Sequence, residues 1–285
     1  MKKRKKSVGL FFMYLFLILW AFTTVYPIIW VVLNSFKDGD SIVTHSFAVP
    51  AGEMFTTANY TKAFNSLNIF RAYGNSIFVS SMVVIGVIIL AGMVAYALAR
   101  YQFRGRKLTR ILVVAAMMFP AFSTIIPVFN MEASWGIVNT DNWIVTMISV
   151  ILPQIAGNMA FSIVILEGYI RDLPVELEEA AYVEGSSAFS TYFRVVVPLM
   201  KPAFATVGIF TFIWSYNDLF TQMFFLRRPE MRAITRLLNE ITSSAGTDYG
   251  LLASAVTLVF IPLIIVYIFL QKYIIKGLTA GALKN

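Results

Sequence analysis

A chain of 285 residues that is 58% hydrophobic and only 13% charged lies outside the range of soluble domains and within that of polytopic membrane proteins. Its net charge of +8 does not point to nucleic acid, because most basic residues flank apolar runs, where anionic lipid and orientation account for them. With no cysteine and a single histidine, His45, the composition argues against disulfides, thiolate metal sites and a histidine-based zinc cluster. No paired nucleophile and base stands out, so no metal site and no catalytic residue are expected.

The uncharged runs set the predicted elements. No charged residue occurs between Lys6 and Lys37, Arg71 and Arg100, Arg110 and Glu132, Asp141 and Glu167, or Asp248 and Lys272. A sixth run, Pro202 to Leu226, carries one acid, Asp218. Each is long enough to cross ~30 Å of hydrocarbon as a helix of roughly 20 residues. The expected fold is therefore an all-α polytopic membrane protein of six spans. In chain order it has a basic tail at 1–9, a first helix at 10–36, an external loop at 37–71, and spans near 72–99, 111–131, 142–166, 202–226 and 249–271, with a tail at 276–285. The first run is too long for the apolar part of a cleaved signal peptide and is expected to remain as a helix.

Basic clusters at Lys2–Lys6 and at Arg100, Arg104, Arg106, Lys107 and Arg110 place those segments, and both termini, in the cytoplasm. The fifth loop departs from this pattern, since Arg227, Arg228, Arg232 and Arg236 would lie outside. The external loop 37–71 holds Asp38-Gly39-Asp40, Pro50 and Gly52 and is expected to fold over the outer mouth. Trp30, Tyr73 and Trp143 fall near outer span ends, where amphipathic rings favour the headgroup level. Pro120 and Pro127 predict a bent third helix, and Gly86, Gly92, Ala95, Ala97 and Ala99 give the second span positions where neighbours can approach closely.

Between Asp172 and Lys201 the chain becomes polar. Pro174 suits a first helical turn, and Glu176, Glu178 and Glu179 place negative charge at the positive end of its dipole. Gly185 is the natural stop, and Ser186 or Ser187 can cap a second helix running toward Val197 before Pro198. On local pattern alone this segment is either a docking helix-turn-helix or an amphipathic interfacial linker.

Glu179-Ala180-Ala181, then three residues, Gly185, nine residues and Val195-x-Val197-Pro198 is similar to the EAA motif, E-A-A-x3-G-x9-I-x-L-P, of ABC importer permeases. Val replaces Ile and Leu, and Glu184 stands where Asp is frequent. Asn75-Ser76, Tyr96-Ala97-Leu98-Ala99-Arg100 with Phe103 and Gly105, Trp214 through Leu219, and Lys276 through Ala282 extend the likeness to the sugar-importing, MalG-like branch of binding-protein-dependent type I importers. The resemblance implies a permease domain over 72–275 with its coupling loop at 172–201, and an ATPase-coupling role for Glu179, Ala180, Ala181, Gly185 and Pro198. It also implies a second, different permease, two cytoplasmic ATPase subunits, an extracytoplasmic binding protein, a sugar or oligosaccharide as cargo, and a bacterial plasma membrane location. No phosphate-binding glycine loop with Gly-Lys-Ser/Thr occurs, so ATP and Mg belong on the partner subunits and the chain itself carries no cofactor.

A sugar path needs hydrogen-bonding groups and flat apolar faces at membrane depth. Gln154 and Asn158 in the fourth span, and Trp214, Tyr216, Asn217 and Asp218 in the fifth, supply them. The alternative reading of Asp218, favoured over substrate contact, is a structural hydrogen bond to a neighbouring helix. The competing function is an ion-coupled secondary transporter that uses Asp218 or Glu167 as its proton carrier.

Overall fold

The computed structural model describes residues 2–66, 68–244 and 248–282, and the backbone alone at 2–8, 66, 121, 240–244, 270 and 272–282. Met1 of the expected N-terminal tail and residues 283–285 of the C-terminal one lie outside the described residues, as do the side chains of Lys276 through Ala282. All regular elements among the described residues are helices. They fall into two compact units, Met1–Ile69 with Leu238–Pro262, and Phe70–Leu237 with Leu263–Asn285.

The first unit opens with α1 (Lys2–Ser35), whose apolar side chains face outward from Leu10 to Ile29. The loop that follows holds α2 (Gly39–Thr44), a 3-10 turn at Gly52–Met54 and α3 (Ala58–Ser66). Lys37 is buried there, and its ammonium donates to Asn34 Oδ1 at 3.1 Å and to the carbonyls of His45 and Ser46 at 2.8 and 3.3 Å. Three oxygen acceptors offset the desolvation of that charge. Asn59 donates to the Ser35 and Lys37 carbonyls, and Lys62 pairs with Asp248, so the loop is tied to the chain on both sides.

The second unit is built on α4 (Ile69–Arg100). Val79, Val83, Val87, Ala91 and Ala95 recur every four residues and are fully buried, a stripe of small and β-branched side chains against which other helices pack closely. Gly92 shows how close: a Cβ there would stand 2.5 Å from the Tyr192 hydroxyl. Next come α5 (Arg106–Ala116), α6 (Ala121–Ser134) and α7 (Trp143–Asp172), the last contributing Met147, Val150, Leu166 and Ile170 to the core.

After α7 stand α8 (Glu176–Val183), α9 (Ala188–Thr191), a π-helical stretch Tyr192–Val196, α10 (Val197–Leu199), α11 (Lys201–Asn217) and α12 (Leu219–Phe225). A 3-10 turn at Pro229–Met231 leads to α13 (Ile234–Ser244) and α14 (Tyr249–Ala282), whose residues divide between the two units.

Four helices among the described residues are long and apolar enough to span a membrane: Gly9–Ser35, Ile69–Arg100, Trp143–Asp172 and Tyr249–Phe269. Ala188–Leu199 and Lys201–Asn217, bent by 78°, make a fifth if read as one span. The run expected as a single third helix at 111–131 is instead two shorter helices. Met117, Met118 and Phe119 donate to carbonyls three residues back and tighten the end of α5. Pro120, which has no N–H to continue the ladder, then starts α6 from an extended conformation. Pro127 lies inside α6 without ending it, so the break sits at Pro120. The run 202–226 is likewise divided, at Asp218.

Candidate docking face and translocation path

The loop after α7 is shaped by local chemistry. Leu173 is extended before Pro174, the conformation a residue preceding proline favours, and this ends α7. Gly185, at φ +83°, stops α8 with a pair of bonds, Gly185 N–H to the Tyr182 carbonyl at 3.0 Å and Ser186 N–H to the Ala181 carbonyl at 2.9 Å. That pair is a Schellman motif, which satisfies carbonyls left open at the helix end. Ser187 then caps α9, its hydroxyl accepting from Ser190 N–H at 3.3 Å. The second helix does not stop before Pro198, as the sequence suggested. A π turn, with Val197 N–H bonded to the Tyr192 carbonyl, widens the helix ahead of the proline, and the chain turns at Met200 into α11.

One side of this helix-turn-helix is anchored and the other is open. Glu178, expected only to complement the helix dipole, is buried and meets Arg100 of α4 at 2.7 Å, while the Tyr96 hydroxyl donates to its other oxygen at 2.9 Å. Arg100 also donates to the Leu173 carbonyl at 2.8 Å, and Tyr101 and Tyr182 share a hydroxyl contact at 2.8 Å. A second knot lies beside it. Glu167 accepts from Arg110 at 2.6 Å and from Arg171 at 2.5 Å, and Arg110 reaches the Leu98 carbonyl. The ends of α4, α5 and α7 and the start of α8 are thus bound by charge-assisted bonds. Glu179, Ala180, Gly185 and Pro198 are exposed and Ala181 is half-buried. Beside them Val183 and Phe189 are 89% and 63% exposed, so the outward face carries apolar bulk as well as Glu179.

The path candidates gather around the α11–α12 break. Asp218 Oδ1 accepts from Thr221 N–H at 3.0 Å and so caps α12, while Oδ2 accepts from Gln154 at 2.9 Å. Ser215 donates to Gln154 Oε1 at 2.5 Å, Gln222 donates to the Ser215 carbonyl at 3.0 Å, and Thr235 donates to Gln222. Asn158 is buried and bonded to the Gln154 carbonyl of its own helix. The six predicted side chains do not form one surface. Trp214 and Asn217 face outward, Trp214 against Phe161 with ring centroids 4.7 Å apart, whereas Tyr216 is fully buried. One helical turn places positions 214 and 217 together and points 216 away from them.

Three side chains that tie the helix-turn-helix to α4, Tyr96, Arg100 and Glu178, were not among the expected site residues. The basic groups of these two knots that lie before α7, Arg100 and Arg110, read as orientation signals. Their acidic partners lie 78 and 57 residues away, which no local pattern reveals. The arginine-rich fifth loop also acquires partners, since Arg228 pairs with Asp141 and Arg227 lies 4.8 Å from the Phe129 ring centre. Asn75 and Ser76 hold this loop through the Glu230 and Arg232 carbonyls and the Ile234 N–H, and Trp143 donates to Asn75.

Membrane-length helices whose ends are clamped to an exposed helix-turn-helix suit the membrane component of a transport system. The family described as binding-protein-dependent transport system inner membrane component matches residues 88–280, and the chain belongs to it. It is 31% identical to the galactooligosaccharides transport system permease protein GanQ of Bacillus subtilis (strain 168), over 99% of this chain and 98% of that one. It is 30% identical to the diacetylchitobiose uptake system permease protein NgcG of Streptomyces coelicolor (strain ATCC BAA-471 / A3(2) / M145), over 94% and 87%. Among solved structures, a chain of a bacterial ABC transporter involved in import of the acidic polysaccharide alginate superposes with a TM-score of 0.80 at 23% identity, covering 95% of this chain and 98% of that one. The ion-coupled alternative falls with this membership, and both carboxylates it invoked are already engaged, Asp218 by Gln154 and Thr221, Glu167 by two arginines.

Proposed function

We propose that this chain is the permease subunit of an ATP-driven importer that carries a sugar or oligosaccharide, handed over by an extracytoplasmic binding protein, into the cytoplasm by alternating access. The observation that carries the reading is the two-sided helix-turn-helix at 176–199. Its buried side is tied through Glu178 to Arg100 and Tyr96, and its open side presents Glu179, Ala180, Val183 and Phe189. An ATPase that grips the open side moves the helix ends tied to the other, which is how a soluble motor biases a membrane equilibrium. The names of the oligosaccharide permeases that resemble the chain support the cargo class.

The assembly has two ATPase subunits, which supply ATP and Mg, and a second, different permease. Both termini and the 172–201 loop are cytoplasmic in this reading, and the permease domain covers 72–275 after a first helix at 10–36. The translocation path runs past Trp214 and Asn217, with Gln154, Asn158 and Asp218 as the polar groups behind it. Tyr216 serves as packing, because its ring is buried. Affinity purification of the tagged chain from its native host, with identification of co-purifying subunits, tests the assembly. ATPase and uptake measurements over a panel of oligosaccharides test the cargo. The wild type recovers two other subunit types and shows sugar-stimulated hydrolysis, and Glu179→Lys keeps membrane insertion while losing both. Uptake by the chain without any ATPase would overturn the reading.

A further inference from the structure

An open cavity of about 700 Å³ lies where α4 ends and α5 begins, lined by Gln102, Phe103, Arg106, Lys107, Leu108 and Ile111 among others. Its charge is one-sided. Arg106 is held by the Leu98 and Ala99 carbonyls at 2.9 and 3.2 Å, and Arg110 by Leu98 and Glu167, which matches its charge. Lys107 lines the cavity, and Arg104 lies in the chain between the lining residues Phe103 and Gly105; both are exposed, with no partner among the described residues. No carboxylate lines it among the described residues.

The apolar surroundings fix what such a cavity meets. Leu108, Ile111, Leu112 and Val114 of α5 are 59%, 54%, 59% and 54% exposed, so the helix that begins with Arg106 and Lys107 continues as an outward apolar face. The cavity also closes the end of a 32-residue apolar helix at Arg100. Basic groups at the end of a membrane-length helix, followed by an outward apolar strip, sit at headgroup depth with acyl chains beneath. A soluble protein partner would instead leave that strip uncovered on its membrane side.

We infer that this cavity is a binding site for the phosphodiester headgroup of an anionic phospholipid, held by Lys107, Arg104 and the fixed Arg106 guanidinium, with its acyl chains along Leu108, Ile111 and Leu112. The inference rests on the reading of Ile69–Arg100 as a span, but not on its orientation, since either leaflet offers the same chemistry.

The test uses the full chain in phosphatidylcholine nanodiscs. As the protein has no cysteine, Leu112→Cys accepts a single bimane, whose quenching by acyl-chain spin-labelled phosphatidylglycerol is compared with that by the matching phosphatidylcholine. Each basic group near the surface contributes about a fivefold preference for an anionic lipid, so the wild type favours phosphatidylglycerol by at least about fivefold. Arg104→Gln with Lys107→Gln lowers the ratio severalfold, Arg106 keeping a remainder, and Arg227→Gln, in the loop after α12, leaves it unchanged. Equal quenching by both lipids in the wild type, or an unchanged ratio in the double variant, overturns the site. Loss of the preference in millimolar inorganic phosphate would assign the cavity to a free anion instead. Equal quenching with bimane shielded only after ATPase subunits are added would make it a protein contact. None of these readouts requires transport, so failure of the sugar-importer reading would be seen separately.

Discussion

Arg100 and Glu178 lie 78 residues apart in sequence and meet at 2.7 Å, with side chains only 11% and 5% exposed. Removing one partner of such a pair leaves the other buried and uncompensated, at a cost of about 3–5 kcal/mol, whereas replacing both with apolar groups of similar volume is often neutral. Arg100→Met should therefore lower the yield of folded complex sharply. Arg100→Met with Glu178→Met should restore much of that yield, measured by size-exclusion chromatography in detergent. If the double variant falls as far as the sum of the two singles, the pair does not act as a unit.

Gly185 holds the turn between α8 and α9 at φ +83°, and a Cβ there would meet nothing within 4 Å. The cost of Gly185→Ala is thus a backbone cost, about 1–2 kcal/mol for a left-handed residue, or roughly a 5–30-fold loss of the native turn. Uptake should fall accordingly while membrane insertion stays intact. Gly185→Asn should recover part of it, because asparagine tolerates that conformation. Equal uptake for alanine and asparagine variants would show that the turn does not limit coupling.

Asp218 has two tasks, capping α12 and receiving Gln154. Asp218→Asn keeps an acceptor for the cap and should leave the complex assembled with altered uptake or sugar preference. Asp218→Ala should also lose about 0.5–2 kcal/mol as a capping oxygen disappears. Thermal unfolding beside uptake competition by several oligosaccharides separates the two. Unchanged selectivity in both variants would move the cargo site away from this residue.

Glu132 is buried at the end of α6, one of its oxygens has no partner among the described residues, and desolvation raises its pKa to about 7. The folded state therefore holds this proton longer than the unfolded chain. The resulting stabilisation is full below the ordinary glutamate range and is lost as pH rises toward 7, a swing of up to about 3 kcal/mol. Glu132→Gln should flatten that part of the curve of melting temperature against pH between 5 and 8. The same slope in both proteins would place the pH dependence elsewhere.

Topology is open to direct labelling because the chain has no native cysteine. Ser187→Cys should be shielded from an impermeant thiol reagent in intact cells and reactive after permeabilisation, and Thr57→Cys should react from outside. Labelling of Ser187→Cys in intact cells would put the helix-turn-helix on the wrong side for a cytoplasmic ATPase.

What was legible in the sequence was what neighbouring residues dictate. Pro174, Gly185 and Ser187 fix their own turn within a few residues, and the helices α4, α7 and α14 follow from unbroken apolar runs. Composition could not show that the 111–131 run divides at Pro120 while Pro127 is absorbed inside α6, because both prolines delete the same donor and only the packing around each decides. Nor could depth alone sort Trp214 from Tyr216. The first lies outward beside Phe161 and the second inward, a distinction of helical phase relative to neighbours. The partners of Glu167 and Glu178 were hidden for the same reason, since they are brought together by the closing of α4, α5, α7 and α8.

The 78° elbow at Met200 joins a short arm, Ala188–Leu199, to a long one, Lys201–Asn217. At about 1.5 Å per residue the arms are roughly 18 and 25 Å long, so in the proposed coupling they would work as a rigid bell crank. With the buried Met200 as fulcrum, a thrust of about 1 Å on the short arm swings the far end of the long one by roughly 1.4 Å. That end is where Asp218 receives Gln154 at 2.9 Å, a separation that such a stroke, directed along the bond, carries beyond hydrogen-bonding distance.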